Sequence, residues 1–160
     1  MPKQYWLFKT EPDVYSWDDL LQEEDRTTLW DGVRNYQARN ILRDEVKLDD
    51  EVLWYHSRTS PQTIVGIAKV VKTAYPDPSQ FDPKSKYFDP KATKDAPRWY
   101  SVDVRAHRQF RHPITRPQLK GREDLEGLMV LKKGARLSVQ PVSAQHWKVL
   151  VGMGEPEPLR

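Results

Sequence analysis

Apolar residues recur along the chain with two periods, and the places where the period changes mark its elements. Tyr5–Thr10 is rich in aromatic residues and reads as a first strand. Ser16 stands where an N-cap belongs. It opens a short helix over Trp17–Glu24, with Asp18 and Asp19 in the first turn, where the helix dipole favours acidic groups. A Thr-Thr-Leu-Trp-Asp-Gly-Val segment follows at 27–33, with Gly32 marking a turn. Arg34–Asp44 has strong helix formers and neither Gly nor Pro, and its apolar Ala38, Ile41 and Leu42 fall on one helical face.

Glu51–Ser57 and Ile64–Thr73 read as strands separated by a Ser-Pro turn. Pro76, Pro78, Pro83, Pro90 and Pro97 make 75–97 a long loop. Its Tyr75, Phe81, Tyr87 and Phe88 are too many aromatics for a tether, so it is expected to pack. Arg98–Val104 alternates, with Tyr100, Val102 and Val104 on one face and Trp99, Ser101 and Asp103 on the other, the pattern of a half-buried strand. Short helices are expected over Arg116–Leu131, a strand at Arg136–Pro141, and a closing helix over Ser143–Val151 capped by Ser143. The order implies one α+β domain around a small curved sheet or barrel, with 154–160 as a flexible tail.

Composition narrows the classes. The 160 residues amount to a single domain, and six Trp, seven Tyr and four Phe oppose disorder despite 31% charged residues. The absence of cysteine excludes disulfide scaffolds, thiolate metal sites, iron–sulfur clusters and cysteine nucleophiles, and fits a reducing compartment. No apolar run approaches the ~20 residues of a membrane helix. Tyr5–Phe8 is too short for the core of a signal peptide. A cytoplasmic location is expected, with nucleoid association as its variant, and a monomer rather than an oligomer.

The formal charge of +3 is unevenly placed. Residues 1–97 carry 14 Lys/Arg against 17 Asp/Glu, a net of −3, and 123–160 balance at five and five. Residues 98–122 carry seven (Arg98, Arg105, Arg108, Arg111, Arg116, Lys120, Arg122) against Asp103 alone, a net of +6. Such a run is either a solvated face or a phosphate-contacting patch. Arg at six of the seven sites favours phosphate, which the guanidinium fork grips bidentately.

Motifs for catalysis are missing. There is no HExxH, GxSxG, GxxxxGK or GxGxxG, and His56, His107, His112 and His146 lack metal-ligand spacing, so neither metal nor cofactor is expected. His56 and Ser57 point to opposite faces of a strand and cannot act as base and nucleophile. Binding signals are stronger. Trp30-Asp-Gly-Val-Arg-Asn-Tyr-Gln-Ala-Arg-Asn40 gathers an indole, a phenol, guanidiniums and carboxamides, groups that stack a base, read its edge and hold phosphate. The plainer alternative is a surface helix whose Trp and Tyr belong to the core. Trp54 on its strand reads first as core.

Tyr5–Asp13, Trp30–Asn40, Tyr55–Ser57, Val65–Val71, Ala74–Pro83, Arg98–Val104 and Arg136–Val142 together resemble the EVE domain family of the PUA-like superfamily, in order from about residue 4 to residue 152. The resemblance implies a pseudo-barrel of five to six mostly antiparallel strands with helices outside, non-catalytic, related to YTH and SRA-type domains. It implies recognition of a modified base of the 5-methylcytosine type in DNA, with RNA as the other candidate. Carried onto this chain, the base pocket comprises Thr10, Trp30, Val33, Asn35, Tyr36, Tyr55, Ser57, Pro141 and Val142. Arg34, Arg39, Arg98, Arg105, Arg108 and Arg111 are the implied phosphate contacts. Relatives often have Ser at position 10, and the added methyl of Thr10 narrows the pocket or changes which modification fits. The lack of a basic N-terminal tail implies a bacterial-type protein. Two other classes stay open: an enzyme on nucleotides using Asp31, Asp89 or His56 as acid or base, and a small-molecule or protein-interaction module.

Overall fold

On the first strand Trp6 and Phe8 face one way and Leu7 the other, and all three are buried, so the sheet has a core on both sides. The computed structural model describes residues 3–134 and 136–159. Its elements are β1 (Tyr5–Thr10), α1 (Trp17–Gln22), β2 (Thr27–Leu29), α2 (Tyr36–Asp44), β3 (Glu51–His56), β4 (Thr63–Pro76), β5 (Tyr100–Thr115), α3 (Arg116–Leu119), β6 (Val139–Val142), α4 (Ala144–Gly154) and β7 (Pro156–Pro158). The strand order is β2-β5-β4-β3-β1-β6, with β7 also on β5.

Among the described residues only β1 and β3 run parallel, Tyr5 opposite Glu51; a hairpin cannot join parallel strands, and α1, β2 and α2 fill the crossover. The long antiparallel pair β4·β5 shifts register at several places, and such bulges add twist that curls the sheet into a pseudo-barrel. One core unites Trp6, Phe8, Val52, Trp54, Val102 and Val104 with Trp17, Leu20, Ala38, Ile41 and Leu42 of the first two helices. The other unites Leu7, Leu53, Tyr55, Ile67 and Phe110 with Leu119, Trp147 and Leu150 of the last two. The expected face of α2 is therefore the buried one.

Several boundaries differ from the sequence reading. The first helix stops at Gln22, and the second starts at Tyr36 because the Asn35 side chain accepts the Ala38 N–H at 3.0 Å and caps it. Ser16 and Ser143 cap α1 and α4 as expected. The strand begun near residue 100 continues to Thr115; its Arg- and His-rich half shows no alternation, and pairing with β4 and β7 holds it extended. Its start is covered on both faces rather than half-buried, since Ser101 and Trp99 are buried along with Val102 and Val104. The sheet has seven strands rather than five or six. The segment expected as a flexible tail instead supplies β7, with Pro156 opposite Phe110.

Candidate functional site

A cavity of about 590 Å³ opens where the end of β1 meets the segment after β2. Its wall takes Lys9 and Thr10 from β1, Glu11, Val14 and Tyr15 from the following turn, and Thr28 to Val33. Ser138 adds a further polar group, and Lys86 and Tyr87 close it from the proline-rich loop.

Gly32 brings that loop in. It sits at φ +78°, and a Cβ there would lie 2.5 Å from the Tyr87 ring, so no other residue lets the ring come so close. Asp77, fully buried, holds the arrangement. It accepts from the Gly32 N–H at 2.9 Å, Arg34 Nη1 at 3.0 Å and the Ser79 N–H and hydroxyl at 2.8 and 2.6 Å. Arg34 in turn donates to the Tyr87 carbonyl at 2.6 Å, with its guanidinium 5.5 Å from the Tyr87 ring and 5.3 Å from that of Trp99. Buried Gln80 stitches the loop further, donating to the Asp77 and Trp99 carbonyls and accepting the N–H groups of Arg98 and Trp99. The loop packs as expected, but on buried Asp77 and Gln80; Tyr75, Phe81 and Tyr87 are half-buried and Phe88 is exposed.

Three groups in the wall have shifted acidities. Burial, then the charge of Arg116, lowers the pKa of the Lys9 ammonium. Burial, then the charge of Asp77, raises the Asp31 carboxyl above the usual range; its own backbone N–H, Arg34 and Lys86 oppose this. Burial pushes the Tyr15 phenol up to about 12.

Of the expected pocket residues, Thr10, Trp30 and Val33 line the cavity. The Thr10 hydroxyl donates to the Tyr15 carbonyl at 2.8 Å, so it fixes the turn as well as the wall. Trp30 is 7% exposed, between Phe8 at 4.9 Å and the edge of Trp54 at 5.2 Å, and belongs mainly to the core. Trp54 is core, as expected.

The other six lie elsewhere. Asn35 is spent as the α2 cap. Tyr36 lies outside the cavity, stacked on Trp99 at 4.9 Å and hydrogen-bonded by Arg98. Tyr55 is in the second core, its hydroxyl donating to Gln62 at 2.8 Å. Ser57 approaches Thr10 only through its N–H, which donates to the Thr10 carbonyl. Pro141 lies opposite Trp6 on β6, and Val142 is buried in the second core. Tyr55 and Val142 reach the second core because strand alternation sends sequence neighbours to opposite faces.

Five of the six expected phosphate-binding arginines meet a carboxylate: Arg34 with Asp77, Arg98 with Asp89, Arg105 with Asp25, Arg108 with Glu51 and Arg111 with Glu157. Arg39 donates to the Arg98 carbonyl and to Asn40. The acid–base candidates do not assemble either. His56 accepts the Trp17 N–H at 3.1 Å, Asp89 accepts the Trp99 indole at 2.7 Å, and Asp31 alone faces the cavity. Sequence reasoning missed Tyr87, Lys86, Tyr15 and Ser138 as wall residues; the aromatic content of the loop was the available signal for Tyr87.

Residues 4–153 match the EVE domain. Thymocyte nuclear protein 1 of Mus musculus is 38% identical over 170 residues, covering 96% of this chain and 75% of the relative. The structure of human THYN1 in complex with 5-methylcytosine-containing DNA is similar at a TM-score of 0.90 and 36% identity, over 98% of this chain and 100% of that one. A protein of Pseudomonas syringae is similar at 0.86 and 44%, over 92% and 97%.

Proposed function

The chain belongs to the EVE domain family, and from that membership we propose that it is a non-enzymatic domain that binds DNA and holds a 5-methylcytosine-type base in the cavity walled by Thr10, Trp30 and Tyr87. The observation that carries this reading is the end-to-end likeness to THYN1 solved with 5-methylcytosine-containing DNA. The cavity is consistent with it: small-molecule sites span roughly 300–1,000 Å³, apolar in the main with a few placed polar groups. Val14 and Tyr87 offer apolar surface to a base and its methyl, and Thr28, Asp31 and Ser138 offer polar atoms to its edge. Lys86, at the mouth, is a cation suited to the backbone phosphate.

Reading a base within a duplex requires flipping it out, at a cost of a few kcal/mol that the cavity must offset. A single methyl adds about 1–3 kcal/mol of discrimination. Fluorescence anisotropy of labelled duplexes with and without one 5-methylcytosine tests the reading. The methylated duplex should bind about tenfold more tightly, and Tyr87→Ala should lose that preference while the thermal melt stays cooperative. Equal affinity for both duplexes overturns the proposal. Tighter binding to an RNA strand of the same sequence would assign the cavity to RNA instead.

A further inference from the structure

Asp31 lies in the cavity wall between Trp30 and Gly32, and no other described residue hydrogen-bonds its carboxylate or pairs with it. The groups around it are engaged elsewhere. Arg34 is turned to Asp77, Ser79 and the Tyr87 carbonyl; the Gly32 N–H goes to Asp77; and Lys86 leans over the Tyr87 ring at 5.0 Å. The other carboxylate in the wall, Glu11, is met by Arg58 at 2.9 Å. Burial and the charge of Asp77 disfavour the ionised form of Asp31. Exposed to the cavity and bonded by no residue but itself, the Asp31 carboxylate keeps acceptor capacity for a ligand that brings a donor.

We propose that Asp31 decides which base the cavity accepts: its carboxylate takes a hydrogen bond from an exocyclic amino group and so selects an amino-bearing base over thymine or uracil. The inference rests on the base-binding reading and deepens it. Cytosine presents an N4 amino donor where thymine presents the O4 carbonyl. A carbonyl set against a carboxylate leaves two acceptors facing each other with no proton between them. Sites built on a hydrogen bond reject the ligand that cannot make it. Shape alone cannot do this, because 5-methylcytosine and thymine carry the same ring methyl.

Four single-stranded oligonucleotides that differ at one central base (5-methylcytosine, cytosine, thymine or uracil) separate the two claims, read by anisotropy at fixed salt. The wild-type protein should bind the 5-methylcytosine strand about tenfold more tightly than the thymine strand. Asp31→Asn, whose carboxamide both donates and accepts, should bring the two within about twofold. Asp31→Ala should weaken 5-methylcytosine binding to the level of thymine. Both variants should melt with the wild type, since no bond of the fold to another residue is lost. Equal wild-type affinity for 5-methylcytosine and thymine overturns the role of Asp31, and so does a preference that survives in both variants. In either case the base-binding reading stands if 5-methylcytosine still outbinds cytosine. Equal affinity for all four strands, unchanged by Tyr87→Ala, overturns both.

Discussion

The cavity and strand β5 are both rich in charged side chains, and they treat them in opposite ways. Along β5 the arginines find carboxylates that come largely from the acidic first part of the chain: Asp25 for Arg105, Glu51 for Arg108 and, just ahead of the strand, Asp89 for Arg98. Glu157 on β7 closes the series with Arg111. Three cations of the +6 run thus pair with carboxylates of the acidic first 97 residues. In the cavity wall Asp31 has no such partner, and Lys86 meets a ring rather than a carboxylate among the described residues. Charge concentrated in sequence marks neither a free patch nor a site; charge left unpaired by the fold is the better guide.

The comparison breaks first at Trp30. If its role is in the core, Trp30→Ala should cost about 3–5 kcal/mol in denaturant unfolding, far more than Tyr87→Ala, whose ring is only half-buried. Similar stability losses for the two would return Trp30 to the ligand. Arg34 gives the next effect. Arg34→Ala leaves the buried Asp77 without its cation, a loss of about 3–5 kcal/mol for a broken buried pair. Arg34→Lys should recover only part of it, because one ammonium cannot bond Asp77, Ser79 and the Tyr87 carbonyl together.

These two positions show what the sequence made legible. The helices, most strands and the α2 face follow from local period and capping, which are written within a few residues. The Trp30–Asn40 motif also located one wall of the cavity. The Asn35 cap is local, three residues from Ala38, and lies within the motif itself. That Tyr36 would stack on Trp99 depends on where the chain returns tens of residues later. Tyr87 was hidden for the same reason: only Asp77 and Arg34 together bring it over Gly32.

A smaller effect concerns pH and the wall's foundations. His56 accepts the Trp17 N–H, which requires a neutral imidazole, and burial lowers its pKa below the ordinary 6.5, with Asp18 opposing. Above 6.5 it is neutral in both folded and unfolded chains, and its stabilisation is fully present. As pH falls from there toward the lowered folded value, the unfolded chain takes up the proton first and stability drains. His56→Gln should flatten this part of the melting-temperature profile. A residual slope should persist from His107, whose pKa burial and Lys69 also lower. An unchanged profile in the variant would assign the slope elsewhere.

The smallest effects sharpen the comparison itself. Arg111 and Glu157 are both more than half exposed, and a surface pair of this kind contributes about 0–1 kcal/mol, so Arg111→Ala should barely move the melt. Its effect on DNA affinity is the discriminating quantity. A cation that contacts one phosphate contributes about −0.9 to the slope of log affinity against log salt. Lys86→Ala should remove close to that amount, because Lys86 has no carboxylate to leave. Arg111→Ala should remove much less, since Glu157 already neutralises it. The reverse ranking would mean that the β5 pairs open when DNA arrives and exchange their carboxylates for phosphates. The arginine run would then be a patch masked by its own partners in the free protein.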